Sequence, residues 1–176
     1  MGTVQLATAV VIIASHEVQA IAVPTLRRYT PEALIRVPAH LTLLYPFVEY
    51  EQLNTACQKL RRILAEVEPF DITMDGYDCF PTVSFMVPAD PGPIQAVFRQ
   101  ILAAFPECPP YRGLFGNDLH PHMTVGEFDN EAERQAVTLP DYPPTTFRAE
   151  CAHVLYGIDG QPLPWITYDV IRLGKN

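Results

Sequence analysis

The alternation of apolar and polar residues divides the chain into short strands and amphipathic helices. Residues 52–67 and 94–105 place apolar side chains at intervals of three and four, the spacing of one face of a helix. Other stretches are apolar throughout or alternate as strands do, and these cover residues 8–14, 70–74, 83–87, 147–156 and 165–173. The pattern therefore predicts a protein that combines helices with strands.

Prolines set the bounds of the weaker elements. Residues 18–29 predict a helix interrupted near its start by Pro24, and a short helix begins at Thr30 and ends before Pro38. A strand follows Pro38 and closes at Pro46, because proline cannot donate a hydrogen bond to a sheet. The remaining predictions are a loop over 75–82, a loop rich in Pro and Gly over 106–118, a helix over 130–137 and a hairpin turn over 157–164.

One short pattern occurs twice on the predicted strands, as His40-Leu-Thr42-Leu and as His122-Met-Thr124-Val. Side chains alternate faces along a strand, so each histidine shares a face with the threonine two positions later. If both faces open into the same cleft, two imidazoles and two hydroxyls converge on one point, a set of groups that suits a tetrahedral phosphate. The order strand, helices, motif strand, helix also occurs roughly twice, which predicts an imperfect internal duplication.

Length and composition limit the class of protein. A chain of 176 residues, 48% hydrophobic and 18% charged, is typical of one globular domain or of two packed lobes that share a core. We therefore predict a single domain over residues 1–176, whose two lobes each contribute one motif. The formal net charge of −8 argues against a protein that tracks long nucleic acids by neutralising their phosphates.

Cysteine usage and hydropathy predict a cytoplasmic protein. The four cysteines are widely separated and none forms a Cys-x-x-Cys pair, so we interpret them as free thiols in a reducing compartment. The apolar run from Ala9 to Ala14 is too short to span a bilayer, and no Lys or Arg precedes it as in a signal peptide. We expect no contact with membranes, and the sequence leaves the oligomeric state open.

The two motifs and their flanks resemble the 2H phosphoesterase superfamily, often labelled 2′-5′ RNA ligase-like. The matching segments are Arg-Val-Pro-Ala-His-Leu-Thr-Leu-Leu-Tyr-Pro-Phe from Arg36 and Pro-His-Met-Thr-Val-Gly from Pro121. The superfamily takes its name from two His-x-Thr or His-x-Ser motifs, and the separation of 82 positions between His40 and His122 is ordinary for it. None of the four motif positions departs from the pattern.

The resemblance implies a bilobal α+β fold with pseudo-two-fold symmetry, in which two antiparallel sheets line a central groove and the helices lie outside. It also implies an enzyme that uses no metal or other cofactor and cleaves cyclic or 2′-5′ phosphodiester bonds at nucleotide or RNA ends. The family's catalytic histidines correspond to His40 and His122, and its phosphate-holding hydroxyls to Thr42 and Thr124. The expected partner is a small nucleotide or an RNA terminus.

Two histidines suffice for hydrolysis of such a bond, since one can deprotonate water while the other protonates the leaving ribose oxygen. An unperturbed imidazole has a pKa of roughly 6.5, so near neutral pH one ring can be neutral while the other is charged. We favour His122 as the base and His40 as the acid, although a pseudo-symmetric site permits either assignment. The same groups run in reverse would join ends, so the direction in the cell stays open.

Three further residues are candidates for substrate binding. Tyr111 and Arg112 lie in a loop rich in Pro and Gly, where binding residues are common, and Arg112 can neutralise a phosphate. Tyr111 and Phe85 can stack on a base, although core packing is the simpler role for Phe85. Strand alternation places Tyr45 on the face away from His40, in the core.

Other interpretations of the motif residues compete with this one. His120, His122 and His40 could hold zinc, but structural zinc takes four ligands, and catalytic zinc generally includes a carboxylate or a firmly held third histidine. A nucleotide sensor that keeps the groove without turnover is the alternative function, and a protein-binding scaffold is a third. Binding alone does not require two proton-transfer groups, so we expect an enzyme.

Overall fold

The computed structural model describes residues 6–114 and 116–175. Over these residues the chain forms eight β-strands and five α-helices. In chain order they are β1 (Leu6–Ile13), α1 (His16–Tyr29), α2 (Pro31–Arg36), β2 (His40–Leu44), α3 (Leu53–Leu64), β3 (Phe70–Phe80), β4 (Val83–Pro88), α4 (Gly92–Ala104), β5 (Met123–Glu127), α5 (Glu131–Gln135), β6 (Thr145–Ala149), β7 (Cys151–Ile158) and β8 (Ile166–Arg172). Short 3₁₀ turns occupy Tyr50–Gln52 and Pro110–Gly113.

The two strongest helical patterns form helices because each buries the apolar stripe that predicted it. In α3 the buried positions follow the expected spacing, and they are Leu53, Ala56, Cys57, Leu60 and Leu64. In α4 the buried positions are Ile94, Val97, Phe98 and Ile101. Both predictions are confirmed, within three residues at each end.

Helix α1 differs from its prediction because it passes through Pro24 without a break. A proline inside a helix removes the hydrogen bond to the carbonyl four residues earlier, here that of Ala20. Ala20 and Pro24 are both exposed, so water can serve that carbonyl. The buried face of the helix, which includes Val18 and Ala22, is unaffected.

The structure corrects two strand predictions. The stretch 147–156 is two strands, since β6 ends at Ala149 and β7 begins at Cys151, and the two belong to different sheets. Strand β3 continues through the predicted loop, because Asp75 and Gly76 form a bulge opposite β4 instead of a turn. The positive φ of Gly76, 88°, suits that bulge.

The strands form two antiparallel sheets of four. Sheet I has the order β2-β1-β7-β8, and sheet II has the order β5-β4-β3-β6. The motif strands β2 and β5 each lie at the edge of their sheet, and they contact each other. This arrangement confirms the predicted α+β fold with two antiparallel sheets, and it brings both motifs to the line where the sheets meet.

One apolar core takes residues from both sheets. Val10 and Leu41 come from sheet I and Met86 and Met123 from sheet II, and none of the four has exposed surface. Helix α1 packs on β5 and β6, whereas α3 packs on β8 and α4 on β2. The core therefore occupies one face of each motif strand, and the opposite faces line a cleft.

Three predictions concern the whole chain: its domain bounds, its cysteines and its relation to membranes. The bounds of one domain over 1–176 stay a prediction, and residues 1–5, 115 and 176 lie outside the described residues. All four cysteines are free thiols. Within residues 6–114 and 116–175, no helix combines the length and the apolar character needed to cross a bilayer.

Candidate active site

The cleft between the two motif strands contains all four predicted motif residues. It has a volume of about 240 Å³. His40 and Thr42 line it from sheet I, and His122 and Thr124 line it from sheet II. The structure thus brings two imidazoles and two hydroxyls together, which is the geometry that the repeated pattern predicts.

Strand alternation explains why these side chains face the cleft. In β2, Leu41 and Leu43 are buried in the core, whereas His40 and Thr42 are half-buried on the other face. The second motif repeats this alternation from His122 onwards, with half-buried and buried positions in the same order. In each motif the leucine, methionine or valine packs into the core and fixes the strand. The histidine or threonine before it therefore points into the cleft.

The two histidine rings are oriented by the same local hydrogen bond. Nδ1 of His40 lies 2.8 Å from the carbonyl oxygen of Pro38, and Nδ1 of His122 lies 2.7 Å from that of His120. A carbonyl oxygen only accepts, so Nδ1 carries the proton in both rings. The Nε2 atom of each neutral ring therefore keeps its lone pair for a substrate.

The surroundings lower the pKa of both rings. Burial is the main cause in each case, and it outweighs the carbonyl hydrogen bonds that favour the charged form. The positive charges of His122 and Arg36 lower the pKa of His40 further, and that of His120 lowers the pKa of His122. Both shifts favour the neutral imidazole in the free protein.

Two phenylalanine rings pack against His122. Phe85 has no exposed surface, and its ring centroid lies 4.9 Å from that of His122 and 5.6 Å from that of His120. A ligand has no access to this ring, so the base-stacking role suggested by sequence is corrected to core packing. Phe80 packs on Phe85 and on the edge of His122, at 4.6 and 5.3 Å, and is 40% exposed. Sequence reasoning missed Phe80.

The turn at Pro110–Gly113 places its two candidate residues differently. Tyr111 and Arg112 both have positive φ, 49° and 57°, which is uncommon outside glycine. The backbone N–H of Tyr111 donates to the carbonyl oxygen of Tyr45 at 2.6 Å, and the Tyr111 side chain lines the cleft beside Thr42. Arg112 is exposed and lines a neighbouring depression instead of the cleft.

Comparison with known families assigns the chain to one of them. A family model described as the 2′-5′ RNA ligase superfamily matches residues 13–160, a range that contains both motifs. The chain belongs to the 2′-5′ RNA ligase superfamily. This confirms the resemblance based on the two His-x-Thr segments.

One related protein is distant in sequence. A protein of Oceanobacillus iheyensis, provisionally named a phosphoesterase, is 28% identical over 128 residues. The aligned region is 72% of this chain and 61% of that protein, so the chain spans less than two thirds of this relative.

Solved structures of Escherichia coli LigT share the fold. LigT complexed with 3′-AMP gives a TM-score of 0.68 at 17% identity, over 97% of this chain and 99% of LigT. LigT complexed with NADP⁺ gives 0.70 at 16% identity over the same shares of the two chains. At these identities the likeness establishes the common fold.

In this superfamily member Tyr45 lines the cleft, whereas strand alternation predicts that it lies in the core. The register of β2 against β1 shifts so that Val10 pairs with Leu44 and Val11 with Thr42. Two consecutive leucines are consequently buried, and the alternation is reversed after them. Burial above all, and then the nearby carboxylate of Asp159, raises the pKa of Tyr45 to about 12.

An ion pair lies at the edge of the cleft. The guanidinium of Arg36, at the end of α2, lies 3.6 Å from the carboxylate of Glu127, at the end of β5. Both residues line the cleft, and both side chains are partly exposed. The sequence showed Arg36 only as part of the first segment, and Glu127 carried no signal, because the pairing joins residues far apart in the chain.

His120 does not join the motif histidines in a metal site. Its ring centroid is 6.4 Å from that of His122, and its side chain packs beside Phe80 and Phe85. Over the described ranges 6–114 and 116–175, no group of three or more His, Cys, Asp and Glu residues is arranged to hold a metal ion.

Proposed function

We propose that this chain hydrolyses a cyclic (2′,3′-type) or 2′-5′-linked phosphodiester of a nucleotide or RNA end by acid/base catalysis with two histidines and no metal. The observation that carries the proposal is the pair of imidazoles in one cleft, each with Nδ1 anchored to the carbonyl two residues before it. Family membership supports phosphoester chemistry of this kind.

The proton transfers follow from the tautomers. Neutral His122 takes a proton from water on Nε2 as the water oxygen bonds to phosphorus. Protonated His40 gives its Nε2 proton to the ribose oxygen as the bond between that oxygen and phosphorus breaks. Exchange with solvent then returns both rings to their starting states.

The threonine hydroxyls would stabilise the charge on phosphorus. Thr42 and Thr124 line the same cleft from opposite sheets, so each can donate to a non-bridging oxygen. The substrate's own negative charge favours protonation of a nearby imidazole. Binding of an anionic diester would therefore favour the protonated ring that the reaction requires.

The cleft suits a small substrate. Its volume of about 240 Å³ lies just below the range of roughly 300–1,000 Å³ typical of sites for drug-sized ligands. The net charge of −8 disfavours a long polyanion. LigT, which shares the fold, binds 3′-AMP in one of its structures, which supports a nucleotide as the ligand class here.

The test is hydrolysis of 2′,3′-cyclic nucleotides and 2′-5′ dinucleotides in excess EDTA. We expect turnover by the wild type, and a loss of about 10²- to 10⁴-fold for His40→Ala and for His122→Ala. His120→Ala is the matched control, because it removes an exposed histidine two residues from the motif and should retain activity within a few-fold. Loss of activity on chelation, or full activity in either motif variant, would overturn the proposal.

The alternative, a nucleotide sensor, predicts a different result in the same panel. A sensor would bind a nucleotide in calorimetry and show no turnover of any diester, and His122→Ala would alter affinity alone.

A further inference from the structure

One side of the cleft, on sheet I, is apolar and separate from the main core. Ala9, Val11 and Leu155 form a small apolar cluster of their own, each at most 5% exposed, and they line the cleft. Tyr45 and Trp165 pack against this cluster. The three cluster residues are themselves covered, so the accessible part of this side is the aromatic surface of Tyr45 and Trp165. A phosphate gains nothing from an apolar surface, so this one is suited to another part of a ligand.

Trp165 is held rigidly at the edge of this surface. A methyl group in place of the hydrogen of Gly157 would lie 2.5 Å from two atoms of the indole, so the ring sits directly on the backbone there. The backbone N–H of Trp165 donates to the carbonyl oxygen of Arg36 at 2.9 Å. The ring centroid lies 6.1 Å from that of Tyr45, and the indole remains partly exposed.

A polar group lies beside the two aromatic rings. The carboxylate of Asp159 lies close enough to the Tyr45 hydroxyl to raise its pKa, and it lines the same cleft. A carboxylate has lone pairs that can accept from an amino group. A flat apolar wall with one acceptor at its edge matches the chemistry of a purine ring.

We propose that Trp165 is the wall of a nucleobase subsite, so that this chain prefers diesters of a nucleoside to those of a sugar or polyol alone. This inference rests on the proposed function for the position of the phosphate between His40 and His122. Residues of the apolar cluster lie on β1 directly beside the first motif, since Val11 pairs with Thr42. A base against Trp165 would therefore adjoin a phosphate held by Thr42.

The first test uses the fluorescence of Trp165, which is the single tryptophan of the chain. Titration with 3′-AMP should quench its emission in a saturable way, and glycerol 2-phosphate, which has no base, should leave the emission unchanged. His122→Ala should show the same quenching by 3′-AMP. Quenching reports the subsite without turnover, so it separates failure of this inference from failure of the proposed catalysis. An unquenched emission at saturating 3′-AMP, or no binding of 3′-AMP at all, would overturn the inference.

The second test compares Trp165→Leu with Phe80→Leu, since Phe80 is an exposed aromatic ring that packs on His122. Trp165→Leu should raise KM for 2′,3′-cyclic AMP about 5- to 100-fold and leave the hydrolysis of glycerol 1,2-cyclic phosphate unchanged. Trp165→Phe should restore most of the affinity, which a misfolded protein would not do. A larger effect of Phe80→Leu on KM would place the base beside Phe80 and contradict the inference.

Discussion

The two halves of the cleft share a backbone pattern and differ in what surrounds it. Both histidines donate from Nδ1 to a carbonyl two residues earlier, and both precede a threonine on the same face. On the side of His40 the charge of Arg36 is close, and Tyr111 lies beside Thr42. Around His122 the neighbours are aromatic rings. The repeated motif thus supplies equivalent reacting atoms, and the surroundings make them unequal.

This difference bears on how a substrate is oriented. A symmetric pair of imidazoles would accept a diester in either direction. The charge of Arg36 near His40 and the aromatic packing against His122 remove that equivalence, because they change how easily each ring gains or loses a proton. The predictions below test whether the two halves depend on different interactions.

The aromatic half should depend on packing. Phe85→Ala removes a fully buried ring, so we expect a loss of about 3–5 kcal/mol in the free energy of unfolding. Phe80→Ala, at a ring 40% exposed, should cost less than about 2 kcal/mol. Urea denaturation of both variants measures the contrast. Equal losses would show that burial beneath His122 is not what distinguishes the two rings.

The half of the cleft around His40 should depend on the Thr42 hydroxyl. Thr42→Val and Thr124→Val should each lower kcat about 10- to 100-fold, because each removes a donor to the phosphate. Tyr111→Phe should lower kcat in the wild type and have little further effect in Thr42→Val, since it acts through that hydroxyl. In Thr124→Val its effect should be undiminished. Equal coupling of Tyr111 to both threonines would contradict the difference between the halves.

The pH dependence should reflect the lowered pKa values of both rings. Catalysis needs one neutral and one protonated imidazole, and the singly protonated form is most abundant between the two pKa values of the pair. Since both lie below the usual 6.5, kcat/KM should reach its maximum below about pH 6.5 and fall as the pH rises through neutrality. A maximum above pH 7 in kcat/KM would show that burial does not set these values.

Another histidine, His153 on sheet I, differs from the two motif histidines and gives the smallest expected effect. Nδ1 of His153 is buried without a hydrogen-bond partner, unlike Nδ1 of either motif histidine, and burial lowers its pKa. The unfolded state binds the proton more readily, so stability falls as the pH drops below about 6.5. His153→Leu should raise the free energy of unfolding by about 1 kcal/mol, and by more at pH 5.5 than at pH 7.5. His16→Leu, at an exposed site, is the control and should show no such gain.

The sequence could predict the reacting groups because they depend on local order alone. Alternation within a strand was enough to place His40 with Thr42 and His122 with Thr124. Tyr45 could not be placed, since its position depends on a shift of register between β1 and β2 that no residue type marks.

Other parts of the cleft depend on contacts between distant segments. Phe85 lies on a predicted strand and Phe80 in a predicted loop, and only the pairing of β4 with β3 and β5 determines which of them is covered. Trp165 reaches the cleft because the segment before β8 bonds to the end of α2 and lies on Gly157. Such contacts are decided by the tertiary fold, and a single sequence carries no local signal for them.

The central claim is that two imidazoles act on one phosphate in a single step. The most direct measurement is kcat for 2′,3′-cyclic nucleotide hydrolysis by His40→Ala, His122→Ala and the double variant. If the two rings act as a unit, the double variant should lie within about tenfold of the slower single variant. If the two losses multiply instead, the histidines act independently, and the account of a shared phosphate would be contradicted.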